Sequence, residues 1–198
     1  MFRLTTRTVF QPFQQAKCQS RSLWEWVNMM FNKPDFDRLK EVGPDRCCAE
    51  WLLRNGGAVK WTGDSAIQTD YNSLPIHTGG KFVEEIDGTD SSISHYGFRH
   101  LSGCKQIKRI ILHKCSYLND EALKALGFVD SPLNYLQISE CRNITDNGLK
   151  QIPPLKDLKT LVLFRLESVK NMADCESHLR KILPGCNIET AEKTEEKK

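Results

Sequence analysis

The sequence predicts an α/β protein, a short right-handed solenoid of about four coils capped by an N-terminal helical domain. Three observations lead there. An apolar pattern recurs in the second half at intervals of 26 and 25 residues, a period that marks stacked supersecondary units. Each recurrence carries an L-x-L core, whose alternate side chains point inward as in a short strand with one buried face. The first half instead places apolar residues at helical spacing, interrupted by Pro and Gly.

The recurring segments span residues 107–115, 133–141 and 158–166, and align without gaps. Their apolar positions are Ile107, Ile110 and Leu112, then Leu133, Leu136 and Ile138, then Leu158, Leu161 and Leu163. Each segment closes on Cys115, Cys141 or Leu166. A strand this short cannot bury its own apolar edge, so successive coils must stack on one another. The Cys sits where the chain leaves the strand, small enough to pack on its counterpart in the next coil. Asp120 and Asp146 each precede a helix-like stretch, where a carboxylate can accept the unpaired N–H groups of a first turn. This pattern resembles the cysteine-containing leucine-rich repeats, most closely in Cys141-Arg142-Asn143-Ile144-Thr145-Asp146. A weaker coil begins near Val83, with a helical second half around Gly97–Leu101, and the last coil runs into residues 177–183, ended by Pro184-Gly185.

The expected domains are a leader over 1–22, a helical capping domain over 23–80, the leucine-rich-repeat domain over 81–189 and a charged tail over 190–198. The first 22 residues carry Arg3, Arg7, Lys17 and Arg21, no acid, and interleaved Leu4, Val9, Phe10 and Phe13. That is the pattern of a mitochondrial transit peptide; the alternative is a basic arm. Subtracting those four positive charges from the net +3 leaves −1, with no basic patch of the kind nucleic acid demands. No apolar run reaches the roughly 20 residues that span a bilayer.

In the capping domain, helical spacing covers Leu23, Trp24, Trp26, Val27 and Met30, then residues 35–39 and 45–53. Gly56-Gly57 ends the last helix, and residues 58–61 read as extended. Trp26 and Trp51 are expected to cover the open end of the first coil, and Trp24 and Phe31 are the candidate partner anchors.

Eight cysteines include no Cys-x-x-Cys pair, so reduced, buried thiols fit better than a metal site or disulfides. Five histidines form neither His-x-x-x-His nor His-Glu-x-x-His, and neither a Gly-x-Ser-x-Gly elbow nor a phosphate-binding loop occurs. These absences point away from an enzyme. The remaining enzymatic alternative is a metal-dependent site at Asp87 and Asp90.

Outside the repeats, Leu23-Trp24-Glu25-Trp26-Val27-Asn28, Phe31-Asn32-Lys33, Val42-Gly43-Pro44-Asp45-Arg46 and Glu50-Trp51-Leu52-Leu53-Arg54 resemble the coupling factor B family of mitochondrial ATP synthase, also called subunit s. Asp70-Tyr71-Asn72, Leu74-Pro75 and Ile86-Asp87 with Thr89-Asp90-Ser91 extend the likeness. The resemblance implies a peripheral protein on the matrix side of the inner membrane that associates with the ATP synthase membrane sector and limits proton leak. It also implies a Mg²⁺ held by the backbone carbonyls of Gly56 and Thr89 with water. A related branch of the family implies the alternative of an assembly factor for the complex I membrane arm. Family members can carry Cys-x-Cys where this chain has His113-Lys114-Cys115, so one thiol remains and Cys115 reads as a repeat residue. The strand face offers Lys108, Arg109, Asn134, Tyr135, Lys159 and Thr160 to a protein partner, and self-association is a further expectation.

Overall fold

A computed structural model describes residues 19–75 and 78–190, with side chains from Leu23 onward. The expected leader lies outside the described residues up to 18, and so does the tail beyond Thr190. The fold is mixed α/β, built on one six-stranded sheet in sequence order.

Three helices come first. Helix α1 (Gln19–Asn32) starts four residues before the expected boundary at Leu23. Helix α2 (Phe36–Val42) is capped by Asp35, whose carboxylate accepts the N–H groups of Asp37 and Arg38. Helix α3 (Pro44–Arg54) begins with a proline, which lacks the N–H that a first turn leaves unpaired. Gly56 then turns the chain at φ +85°, a conformation that a Cβ disfavours. Strand β1 (Ala58–Trp61) pairs antiparallel with β2 (Val83–Asp87). The sheet therefore opens inside the expected helical domain, at the residues that read as extended. Strands β3 (Arg109–His113), β4 (Tyr135–Ser139), β5 (Thr160–Phe164) and β6 (Asn187–Thr190) follow, all parallel from β2 onward. Strand β6 has no counterpart among the sequence expectations: Thr190, expected to open the tail, is buried on it.

Alternate strand residues enter the core. Ile110 and Leu112 stand beside Leu136 and Ile138, which stand beside Leu161 and Leu163. Each such side chain, fully buried, contributes roughly 1.5–3 kcal/mol. The connections carry a 3-10 helix over His95–Leu101, α4 (Asp120–Lys124), α5 (Asp146–Lys150) and α6 (Met172–Ile182).

A residue at the end of the strand turn takes a left-handed conformation four times over, at Asp90, Lys114, Glu140 and Arg165, with φ between 48° and 54°. Their N–H groups extend the ladder, Asp90 donating to His113, Lys114 to Ser139 and Glu140 to Phe164. Ser91, Cys115, Cys141 and Leu166 follow directly and are buried, so the predicted Cys position holds, with Ser91 as an additional member of the row. All seven described cysteines are free thiols.

The expected caps at Asp120 and Asp146 are corrected. Each is the first residue of its helix, and its carboxylate reaches forward to the next coil. Asp120 accepts the N–H and hydroxyl of Thr145 at 2.8 and 2.6 Å. Asp146 accepts the N–H groups of Lys170 and Asn171 at 2.9 and 2.7 Å. Each carboxylate thereby makes two charge-assisted bonds to the following turn. Gly148 is required by this arrangement, because a Cβ there would stand 2.2 Å from Asp120 Oδ1.

Asn32 joins α1 to everything else. It is fully buried, and its amide donates to the carbonyls of Asn28 and Ser92 and to Asn55 Oδ1. Its Oδ1 accepts Trp51 Nε1 at 3.0 Å and the Ser94 N–H at 2.9 Å. Trp51 is buried and its ring stacks on His100 at 5.3 Å. Trp26 is 55% exposed, which corrects the expectation that it caps the first coil. Behind α3, Glu50 is buried between Arg38 and Arg46, at 2.6 and 2.7 Å. Burial would raise its carboxyl, and the bonds from the two guanidinium groups outweigh that and hold it low.

Two outcomes are expected from this packing. Asn32→Leu leaves the indole N–H and the Ser94 N–H buried without acceptors, so the urea unfolding midpoint should fall by the equivalent of roughly 3 kcal/mol. Burial also lowers the His100 imidazole to about 4, against the opposing effect of the Lys33 carbonyl. The unfolded chain then takes up the proton first as pH falls. Stability should be complete above pH 6.5 and decline by about 3 kcal/mol toward pH 4, and urea titrations of His100→Gln should give a flatter profile.

Candidate functional site

Helix α1 presents a cluster of large apolar side chains that the core does not use. Leu23, Trp24, Trp26, Met30 and Phe31 are all exposed, Trp24 at 65% and Phe31 at 49%. Tyr96 and Tyr117 extend this surface from the coil turns, and Tyr117 shares one recess with Trp24, Val27 and Phe31. Asn28, beside Trp24 and Phe31 in that recess, and Asn32 both hold the helix by the Ser92 carbonyl. The hydrogen bonds therefore fix which face turns inward, and the aromatic face is what remains. Isolated exposed apolar residues are ordinary, but a contiguous aromatic group of this kind marks an interaction surface.

The open face of the sheet is polar. The guanidinium of Arg109 lies 3.7 Å from the centre of the Tyr135 ring, and its Nε stands 3.9 Å from Glu85. Glu85 also pairs with Lys60 at 2.8 Å. Tyr135 donates to Gln137, Gln137 to Ser139, and Ser139 meets His113 at 2.8 Å. Arg109, Tyr135 and Thr160 are register partners across three strands. Lys108, Asn134 and Lys159 stand one residue earlier, outside the strands, and their carbonyls carry the coil-to-coil ladder. Lys108 is tied to Glu84 at 2.8 Å, so Lys159 is the more available cation of the two.

Gly56 lies between α3 and β1, and Thr89 lies in the turn that follows β2. Ala58 pairs with Asp87, the last pair of the antiparallel ladder before the chain turns on both sides. The neighbouring Ser92 N–H donates to the Asn55 carbonyl, which ties these two segments together. Neither the Gly56 nor the Thr89 carbonyl accepts a hydrogen bond among the described residues. Two unpaired oxygens of this type suit a hard cation that keeps much of its water. Asp87 accepts the Thr89 N–H at 2.9 Å, and Asp90 lies instead in the row of left-handed turn residues. Among the described residues no three His, Cys, Asp or Glu side chains gather to hold a metal.

Comparison with known proteins decides the family. The chain is 39% identical over 175 residues to mitochondrial ATP synthase subunit s of Rattus norvegicus, covering 86% of this chain and 88% of the relative. The Homo sapiens protein of that name is 38% identical over the same span, and that of Bos taurus 37% over 173 residues. The chain belongs to the ATP synthase subunit s family. No family model matches it.

The subunit s resemblance drew its motifs largely from α1 and α3, and the structure gives those motifs a physical role. Asn28, Asn32, Trp51 and Asn55 form one hydrogen-bonded knot. Trp24 and Phe31, named as anchors, are exposed together on α1, while Arg109, Tyr135 and Lys159 lie on or beside the sheet face. The two groups sit on different elements. Sequence reasoning missed Tyr96 and Tyr117, because turn residues carry no periodicity to reveal their direction. At His113-Lys114-Cys115 the imidazole faces the sheet surface, and the thiol is buried and donates to the Gly88 carbonyl at 2.9 Å. Neighbouring Cys141 and burial together push the Cys115 thiol far above the ordinary range, so it stays protonated and unreactive.

The sheet face is tested by Arg109→Ala combined with Tyr135→Ala. Both side chains are half-exposed and leave the core intact, so stability should change by less than about 1 kcal/mol. Recovery of a bound partner from detergent-solubilised mitochondria should drop. Undiminished recovery would dismiss this face and leave the aromatic face of α1.

Proposed function

We propose that this chain is a non-catalytic subunit that associates with mitochondrial ATP synthase and supports coupling by limiting proton leak through the membrane sector. The observation that carries the proposal is the identity of 37–39% over about 86% of the chain to proteins named mitochondrial ATP synthase subunit s. The exposed aromatic face of α1 and the polar sheet face supply contact surfaces. Among the described residues no helix is long and apolar enough to cross a membrane, in keeping with a peripheral place on the matrix side of the inner membrane.

We further infer that the parallel coils are a right-handed leucine-rich-repeat solenoid of about four units. The in-register strands, the repeated left-handed turn and the forward-reaching Asp120 and Asp146 support that reading. The Gly56 and Thr89 carbonyls would hold a hydrated Mg²⁺, which when bound would brace those two segments electrostatically. The residues themselves contribute only unpaired carbonyl oxygens there, a weak site with little selectivity.

The deciding experiment is native-gel analysis of tagged protein from mildly solubilised mitochondria. Co-migration with ATP synthase is expected, together with increased proton leak when the protein is depleted. Co-migration with complex I intermediates would replace the coupling role with one in assembly. A discrete band at twice the chain mass would report self-association.

A further inference from the structure

Many surface cations in this protein are matched by a carboxylate on the same or the next coil. Lys33, Arg99 and Lys124 are not: among the described residues none of the three makes an ion pair. All three are exposed, and all three line one cleft of about 780 Å³ between α1 and the coil turns. They come from separate elements: Lys33 just past the end of α1, Arg99 on the 3-10 helix over His95–Leu101, and Lys124 at the end of α4. Glu121 is the one carboxylate in the lining among the described residues. Burial lowers the His95 imidazole against the opposing pull of Glu121, so its ring is neutral at pH 7. Three cations against one carboxylate leave the cleft formally positive.

The floor is of the opposite character. Met29, Met30, Pro34, Ala125 and Phe128 make it largely apolar. The guanidinium of Arg99 lies 5.1 Å from the centre of the Phe128 ring, so charge and apolar surface adjoin directly. Methionine reshapes at little cost and recurs in grooves that receive amphipathic helices. A free phosphate would meet the cations and leave this floor wet. A lipid acyl chain would fill the floor but carries its charge on a single head, while the cations stand on three elements. A bilayer offers its charge as a plane and does not enter a recess. A helix whose apolar face is flanked by Asp and Glu meets floor and cations together along its length.

We propose that the cleft between α1 and the coil turns receives an acidic amphipathic helix of a partner protein. The cleft shares no residue with the recess of Trp24, Phe31 and Tyr117, so it is a second contact surface. The inference stands whichever complex the chain joins. It gives Lys33, Arg99 and Lys124 the task of choosing the partner by charge, and Met29 and Met30 that of fitting its apolar side chains.

Gly127 supplies the test. It lines the cleft, is exposed, and a Cβ there meets nothing within 4 Å, so photoreactive p-benzoylphenylalanine can stand at this position without disturbing the fold. Illumination of intact mitochondria carrying the tagged full-length chain should give a discrete protein adduct. Mass spectrometry of the cross-linked segment should find apolar residues at helical spacing and a net negative charge. The yield should fall at least about tenfold when Lys33→Glu, Arg99→Glu and Lys124→Glu are combined. If circular dichroism shows that this triple variant does not fold, Lys33→Gln with Lys124→Gln takes its place, with a loss of at least about threefold. The proposal is overturned by a basic cross-linked segment, by adducts only to lipid or to a second copy of this chain, by no adduct, or by a yield that the folded charge variant leaves unchanged. An acidic helix on a protein outside ATP synthase would keep this site and displace the coupling role, so the two readings fail separately.

Discussion

One buried amide holds the N-terminal part of this protein to the rest. Asn32 supplies both donors and its acceptor oxygen to partners on three segments: α1 itself, α3 with its C-cap Asn55, and the loop at Ser92 and Ser94. An amide buried in this way is specific because every alternative side chain leaves something unpaired. Its consequence reaches the surface. Fixing the rotation of α1 about its axis decides that Trp24, Trp26, Met30 and Phe31 face solvent while Asn28 faces inward. The proposed contact face is thus set by a residue that does not belong to it.

The coils are fastened by a different rule. Strand pairing brings them into register, but the turns carry bonds that reach from one coil to the next. Asp120 holds the turn at Thr145, and Asp146 holds that at Lys170 and Asn171. These bonds use turn residues, and the strands carry Arg109, Tyr135, Gln137 and Ser139 as a connected polar strip. A protein surface of this kind is pre-ordered before any partner arrives, which lowers the entropic cost of binding.

Much of the fold is legible in the sequence because period and residue type agree. The spacing of Ile110, Leu136 and Leu161 places three strands, and Gly56 marks the end of α3 correctly. Strand β6 escapes because residues 187–190 have one apolar member, Ile188, and are recognisable only by the neighbour they pair with. Trp26 is misplaced because helical spacing does not say which face is buried when apolar residues surround the helix. Asp120 and Asp146 look like helix caps since a local partner is always the simpler guess, whereas their actual partners lie 24 to 25 residues away. Within the site, Trp24 and Phe31 stand out by residue type alone. Tyr96 and Tyr117 carry no pattern, and only their exposure beside α1 draws notice.

The four left-handed turn residues, Asp90, Lys114, Glu140 and Arg165, alternate in sign along the stack. Glu140 stands between its two cations, 4.0 Å from Lys114 and 3.4 Å from Arg165. Sequence spacing repeats every coil, but this charge row repeats every second coil. Loss of one internal coil, that of Lys114 or of Glu140, would therefore bring like charges together, while loss of that adjacent pair would preserve the alternation. The stack has a parity that its strands do not reveal.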